Sequence, residues 1–134
     1  MLNRPRAPGT PGSTDGPEPT QPQLRSAAAT FSLLGSVSRL HLAWLMAHQK
    51  ADVSMLARRA GLSIPATSQH LAKLRLARIV SATRDGRHTY YKIDDPHVLT
   101  LIEQIFSHIG PDGTVAPDPQ GQTPSPSGAA QQGD

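Results

Sequence analysis

The chain has 134 residues, no cysteine and a formal net charge of +3, with a sequence pI near 9.8. That length holds one domain at most, and the missing thiols exclude disulfides, thiolate metal sites and cysteine nucleophiles. The basic balance points to an anionic partner such as nucleic acid.

Composition divides the chain in three. Residues 1–25 and 111–134 hold 11 of the 13 prolines and 7 of the 11 glycines. Such segments bury too little apolar surface to offset ordering, so both are expected to be disordered tails, the second one acidic. Residues 26–110 carry ten Lys/Arg against five Asp/Glu and are expected to form the folded domain. At about 85 residues one core is only just sufficient, and oligomerisation commonly helps. The start of the chain has no apolar leader run, and its longest apolar run, Leu42–Ala47, is far too short to span a bilayer. A cytoplasmic protein with no membrane partner is expected.

In chain order, Ser26–Leu34 suits a short helix that Gly35 stops. Ser36 caps a second helix in which Val37, Leu40, Ala43, Trp44 and Ala47 form an apolar stripe. His41 and His48 share a face of that helix without a nearby carboxylate and read as surface or packing residues. Asp52 is an N-cap for a two-turn helix to Ala60, with Met55, Leu56 and Ala60 inward and Gly61 as its stop. Ser63 then caps a helix from about Ile64 to Ala77, with Pro65 in its first turn. Leu71, Leu74 and Leu76 or Ala77 are expected inward, and Thr67, Ser68, Gln69 and Lys73 outward. Two helices joined by a glycine-containing turn, the second with a polar N-terminal face, form a helix-turn-helix pattern.

Two β-branched and aromatic runs follow, Ile79–Thr83 and Thr89–Ile93, around Arg84-Asp85-Gly86-Arg87-His88. Asp-Gly is a hairpin signal, and a basic hairpin after a helix-turn-helix is a wing. Asp94-Asp95-Pro96 starts a final helix with Val98, Leu101, Ile102, Ile105 and Ile109 on one stripe, ending at Gly110-Pro111. The expected fold is mainly α with a β-hairpin wing, a winged helix-turn-helix of order α-α-α-α-β-β-α.

This order, with Leu33-Leu34-Gly35-Ser36-Val37-Ser38-Arg39-Leu40, Leu56-Ala57-Arg58-Arg59-Ala60-Gly61-Leu62-Ser63, Ser68-Gln69-His70-Leu71 and Arg84-Asp85-Gly86-Arg87 leading to Tyr91, resembles the ArsR/SmtB family of bacterial winged-helix repressors. The resemblance covers about residues 27–110. It implies a homodimer, paired through terminal helices, that sits on operator DNA and in many members is released by a metal or another signal.

The physical case for DNA is independent of that resemblance. Thr67, Ser68 and Gln69 lie in the first turns of a helix whose N-terminus offers free N–H groups, suited to base edges and phosphates. Pro65 shapes that turn, Lys73, Arg84 and Arg87 add positive charge, and His70 either touches phosphate or packs and hydrogen-bonds within the domain. No nucleophile–base pair, phosphate-cradling glycine loop or paired catalytic carboxylates support an enzyme.

The resemblance extends to a metal site on the final helix, where Asp95, His97 and His108 match three of four ligand positions. The fourth is Pro111, which has no side-chain ligand, so the site is either incomplete or completed by water, Asp112 or a tail. His97 and His108 are eleven residues apart, about three turns and roughly 16 Å along one helix, so they meet only if two such helices pair antiparallel. Imidazole and carboxylate donors suit zinc, nickel or cobalt. Two other readings stay open: a degenerate site controlled by another ligand or a partner protein, and a degenerate winged helix that serves as a protein-interaction module.

Overall fold

A computed structural model describes residues 16–115; residues 1–15 and 116–134, which include most of both expected tails, lie outside the described residues. The elements run α1 (Gln21–Leu34), α2 (Val37–His48), β1 (Ala51–Asp52), α3 (Val53–Ala60), α4 (Ile64–Leu76), β2 (Ser81–Asp85), β3 (His88–Lys92) and α5 (Pro96–His108). Among the described residues no helix is long and apolar enough to cross a membrane.

The first helix begins five residues earlier than its small apolar run suggests. Thr20 Oγ1 accepts from the Gln23 N–H at 3.2 Å and Gln23 Oε1 from the Thr20 N–H at 2.9 Å, a reciprocal capping box with Pro22 in the first turn. Proline content marked 21–25 as tail, whereas proline just inside a helix start favours the helix. The later helices start at the expected caps: Ser36 accepts from Arg39, Asp52 from Met55 and Ser63 from Ala66, at 2.9 to 3.2 Å.

The core gathers side chains from every helix, with Leu42, Met46, Leu56, Leu71 and Leu74 fully enclosed and Ile79, Val80, Ile93 and Ile102 closing it. Helix α2 is rotated from its expected stripe. Leu42, Ala43, Leu45 and Met46 are buried, Leu40, Trp44 and Ala47 flank the core, and Val37 is 87% exposed. Helix α3 buries Leu56 and Ala57, and Gly61 ends it in the left-handed region at φ 71°. Helix α4 ends at Leu76, which is exposed, as is Ala77. Arg78 closes the turn at φ 63°, where the Ile79 N–H reaches back to the Leu74 carbonyl at 2.9 Å.

The sheet has three strands in the order β1-β3-β2, all antiparallel. Strand β1 is absent from the sequence expectation: it is two residues long, too short to show alternation, and its Asp52 is also the cap of α3. The hairpin pairs Asp85 with His88, leaving Gly86-Arg87 as the two-residue loop. Gly86 has φ 65° and Arg87 has no positive φ, the pattern of a type II′ turn. The Ile93 N–H bonds the Met46 carbonyl at 3.1 Å and fastens the end of the wing to α2.

Past α5 the chain reverses within the stretch expected as tail. Ile109 bridges Val115, the Gly110 N–H donates to the Thr114 carbonyl at 2.7 Å, and Asp112 Oδ1 accepts from Thr114 N and Oγ1 at 3.0 and 2.7 Å. These bonds order residues 110–115 locally.

Candidate nucleic-acid interface

Helix α4 sorts its side chains by angle. At 100° per residue, Pro65, Ser68, Gln69, Ala72, Lys73 and Leu76 fall within an arc of about 140°, while Thr67, His70, Leu71 and Leu74 share the opposite side. Exposure follows that division: all six of the first set are exposed, and Thr67, Leu71 and Leu74 are buried. Thr67 is therefore not among the outward residues. Its side chain is fully enclosed and its hydroxyl donates to the Ser63 carbonyl at 2.8 Å, a bond that satisfies a buried polar group inside the helix itself. Neighbouring Thr67, Ser68 and Gln69 look alike in composition, and only the helical phase separates them. Ala72 and Leu76 add apolar surface to this face, Leu76 being exposed where it or Ala77 was expected inward.

His70 is held within the domain. Its Nδ1 lies 3.3 Å from Nη1 of Arg39, and a guanidinium only donates, so Nδ1 is the acceptor and the proton of the neutral ring sits on Nε2. Burial foremost, then the charges of Arg39 and Lys73, hold the imidazole below its ordinary 6.5. At pH 7 it is mainly neutral and adds no charge for phosphate. Arg39 also donates through Nε to the Leu33 carbonyl at 2.7 Å, so one guanidinium ties the end of α1 to α4. Arg39 was not among the residues expected at the site, and its bond to His70, 31 positions away, has no local sequence signal.

The wing is basic and exposed at Arg84 and Arg87. Arg84 Nε donates to the Gly86 carbonyl at 3.0 Å, which folds this side chain over its own turn, while Arg87 extends from the tip. Along the outer side of β3, Asp52 Oδ2 lies 3.4 Å from Nδ1 of His88, next to the tip, and Lys50 stands 5.2 Å from the Tyr90 ring centroid. Arg58, Arg59, Arg75 and Arg78 are also exposed.

On α5 the Asp95 Oδ1 caps the helix, accepting from the backbone N–H groups of His97 and Val98 at 2.8 and 3.4 Å, and it lies 3.1 Å from His97 Nδ1. These bonds, the His97 N–H foremost, hold the Asp95 carboxyl below its ordinary range. The same contact orients the exposed His97 ring with Nε2 outward, as carboxylates do for metal-binding imidazoles. His108 is exposed at the other end of the helix. Among the described residues no three His, Asp or Glu side chains converge within the one chain. Asp112, a conceivable fourth donor, is engaged by Thr114, whose backbone and hydroxyl bonds lower its carboxyl as well.

Comparison with known proteins places this geometry. A profile described as "Bacterial regulatory protein, arsR family" matches residues 37–82, from α2 into β2. The HTH-type transcriptional regulator KmtR of Mycobacterium tuberculosis is 37% identical over 100 residues, spanning 72% of this chain and 77% of that protein. The chain belongs to the ArsR family of bacterial regulatory proteins. A second ArsR-type relative, described as a transcriptional repressor SmtB homolog of Synechocystis, is 37% identical over 87 residues, 65% of this chain and 66% of that one. A solution structure from Mycobacterium bovis, described as a homodimeric winged helix-turn-helix DNA-binding domain of a possible ArsR-family regulator, superposes with a TM-score of 0.61 at 24% identity, covering 69% of this chain and 86% of that one. The fold is thus the winged helix-turn-helix, and the ArsR-family chain is a DNA-binding transcription regulator rather than an enzyme.

Proposed function

We propose that the protein is a homodimeric repressor that sets the exposed face of α4 into the major groove of its operator and lays the wing along the adjacent backbone. The observation that carries this reading is the bared arc of Ser68, Gln69 and Lys73 on a helix whose opposite side is locked into the core. Gln69 is the base reader, since its amide offers a donor and an acceptor side by side. Lys73 and Arg87 meet phosphates, and Ser68 hydrogen-bonds at the groove edge. Thr67 and His70 position this helix without touching DNA.

Dimerisation uses α1 and α5. Phe31 is 60% and Ile105 37% exposed, and with Leu34, Leu40 and Leu101 they border an apolar hollow of about 160 Å³. A second copy would remove that surface from water, and the Mycobacterium bovis neighbour is described as homodimeric.

The signal is a divalent ion, zinc, nickel or cobalt, held between the two α5 helices by His97 and Asp95 with the partner subunit's His108. The donors present fit such an ion: two exposed imidazoles and a carboxylate that already orients one of them. With Pro111 in the fourth position and Asp112 engaged in its turn, the protein supplies three donors per site. An ion there would act as a Lewis-acid bridge that favours one relative orientation of the subunits. Release follows only if that orientation fits the operator poorly. The test is fluorescence anisotropy on the protein's own upstream DNA, in chelator and then with each metal. A fall in operator affinity of about tenfold or more, abolished by His97→Ala and by His108→Ala, is expected. Tight binding indifferent to all three metals would remove the metal from the account and leave control to another ligand or a partner protein.

A further inference from the structure

The face of α5 opposite the His97–His108 edge borders a cleft against α2. Counting 100° per residue from His97, His108 falls at about 20°, whereas Phe106, Leu99 and Glu103 fall between about 180° and 240°. The cleft has a volume of about 390 Å³ and is lined by Trp44 and His48 of α2 and by Leu99, Ile102, Glu103 and Phe106 of α5. It shares no residue with the DNA-facing arc of α4 or with the metal donors.

Its ionisable groups are acceptors. The His48 ring lies against Trp44, centroids 4.0 Å apart, and its Nδ1 is 2.8 Å from the Trp44 carbonyl. A carbonyl only accepts, so Nδ1 carries the proton and Nε2 of the neutral ring keeps its lone pair. Glu103 has no ion pair and no side-chain hydrogen bond among the described residues, although the domain around it is rich in Lys and Arg. No Lys or Arg lines the cleft. A carboxylate and an imidazole lone pair beside aromatic and aliphatic walls complement a ligand with a charged N–H donor and an apolar body. An anion meets Glu103 as a like charge, and a neutral ligand forms no ion pair with that exposed carboxylate.

We propose that the cleft between α2 and α5 is a binding site for a small organic ammonium ion, its apolar group against Trp44 and Phe106 and its N–H groups on Glu103 and His48. The site stands apart from the metal reading, and its test does not involve DNA.

Trp44 is the chain's single tryptophan, and because it also borders two neighbouring hollows, the Glu103 variant is what assigns a change in its emission to this cleft. The full chain is titrated at pH 8 with 2-phenylethylammonium, with its neutral analogue 2-phenylethanol and with the anion phenylacetate. The cation is expected to give a saturable change with half-saturation at or below about 1 mM, and the alcohol to bind about tenfold more weakly. Glu103→Gln, a near-isosteric change at an exposed position, should weaken the cation about tenfold and leave the alcohol unchanged. His48→Gln should act in the same direction, both variants keeping the wild-type circular dichroism. The proposal is overturned if the cation gives no saturable change up to about 10 mM. It is equally overturned if the alcohol or the anion binds as tightly as the cation, or if Glu103→Gln retains wild-type affinity for it.

Discussion

Replacing Arg39 with methionine keeps most of the aliphatic stem and removes two hydrogen bonds that join three helices. The Nε bond to the Leu33 carbonyl at 2.7 Å is short and charge-assisted, while the Nη1 bond to His70 at 3.3 Å is long. Counting about 1.5 kcal/mol for the first and about 0.5 kcal/mol for the second gives a loss of about 2 kcal/mol, or about 10 °C in Tm for a domain of this size. The pair also sets a pH dependence. The folded state lowers the His70 pKa below its ordinary 6.5, so the unfolded chain binds more protons in that window. The stability tied to neutral His70 is therefore complete above pH 6.5, declines as pH falls below it, and is fully lost only beneath the folded-state value. Thermal unfolding by circular dichroism at pH 7.5 and 5.5 reads both effects. Arg39→Met should be less stable at pH 7.5 and lose less on acidification than the wild type, because one of the charges opposing His70 protonation is gone. A variant within about 0.5 kcal/mol of wild type at pH 7.5, with an unchanged pH response, would mean that the Arg39 bonds do not tie the three helices together.

Two further substitutions probe α4 and its exit. Arg78→Gly relieves a side chain held at φ 63° and should raise stability by about 1 kcal/mol in denaturant unfolding; a loss would mean that the arginine side chain contributes more than its backbone strain costs. Thr67→Val keeps the buried shape, and the Ser63 carbonyl retains its bond from the residue 67 N–H at 3.0 Å. It should cost about 1 kcal/mol or less and leave operator preference intact, and a changed sequence preference would return Thr67 to the DNA contacts.

Much of the fold was legible because the sequence writes its caps plainly: Ser36, Asp52 and Ser63 each start the helix expected of them, and Asp85-Gly86 marks the wing. The misses have physical causes. Pro22 and Gln23 sit in a proline-rich stretch whose composition hides a capping box, and the strand at Ala51–Asp52 exists only through its pairing with Tyr90 and Tyr91, about forty residues on. In the candidate site, polarity grouped Thr67 with Ser68 and Gln69, although Leu71 and Leu74, already expected inward, set a helical phase that puts Thr67 on the buried side of α4. The Arg39–His70 bond, between residues 31 positions apart, is a product of the packing of α2 on α4 and has no local signature. The metal donors were read from the resemblance and not from geometry, and one chain holds Asp95 and His97 at the opposite end of α5 from His108.

In the proposed complex Gln69 on the bared face of α4 reads operator bases while the wing holds the backbone. The direct measurement is fluorescence anisotropy of the wild type, Gln69→Ala and Arg87→Ala on the protein's own upstream DNA and on a scrambled duplex, at one fixed salt concentration. Gln69→Ala should lower operator affinity by about tenfold or more while barely changing binding to the scrambled duplex, and Arg87→Ala should weaken both alike. Equal losses on both duplexes for Gln69→Ala, or wild-type preference retained without its amide, would contradict the account.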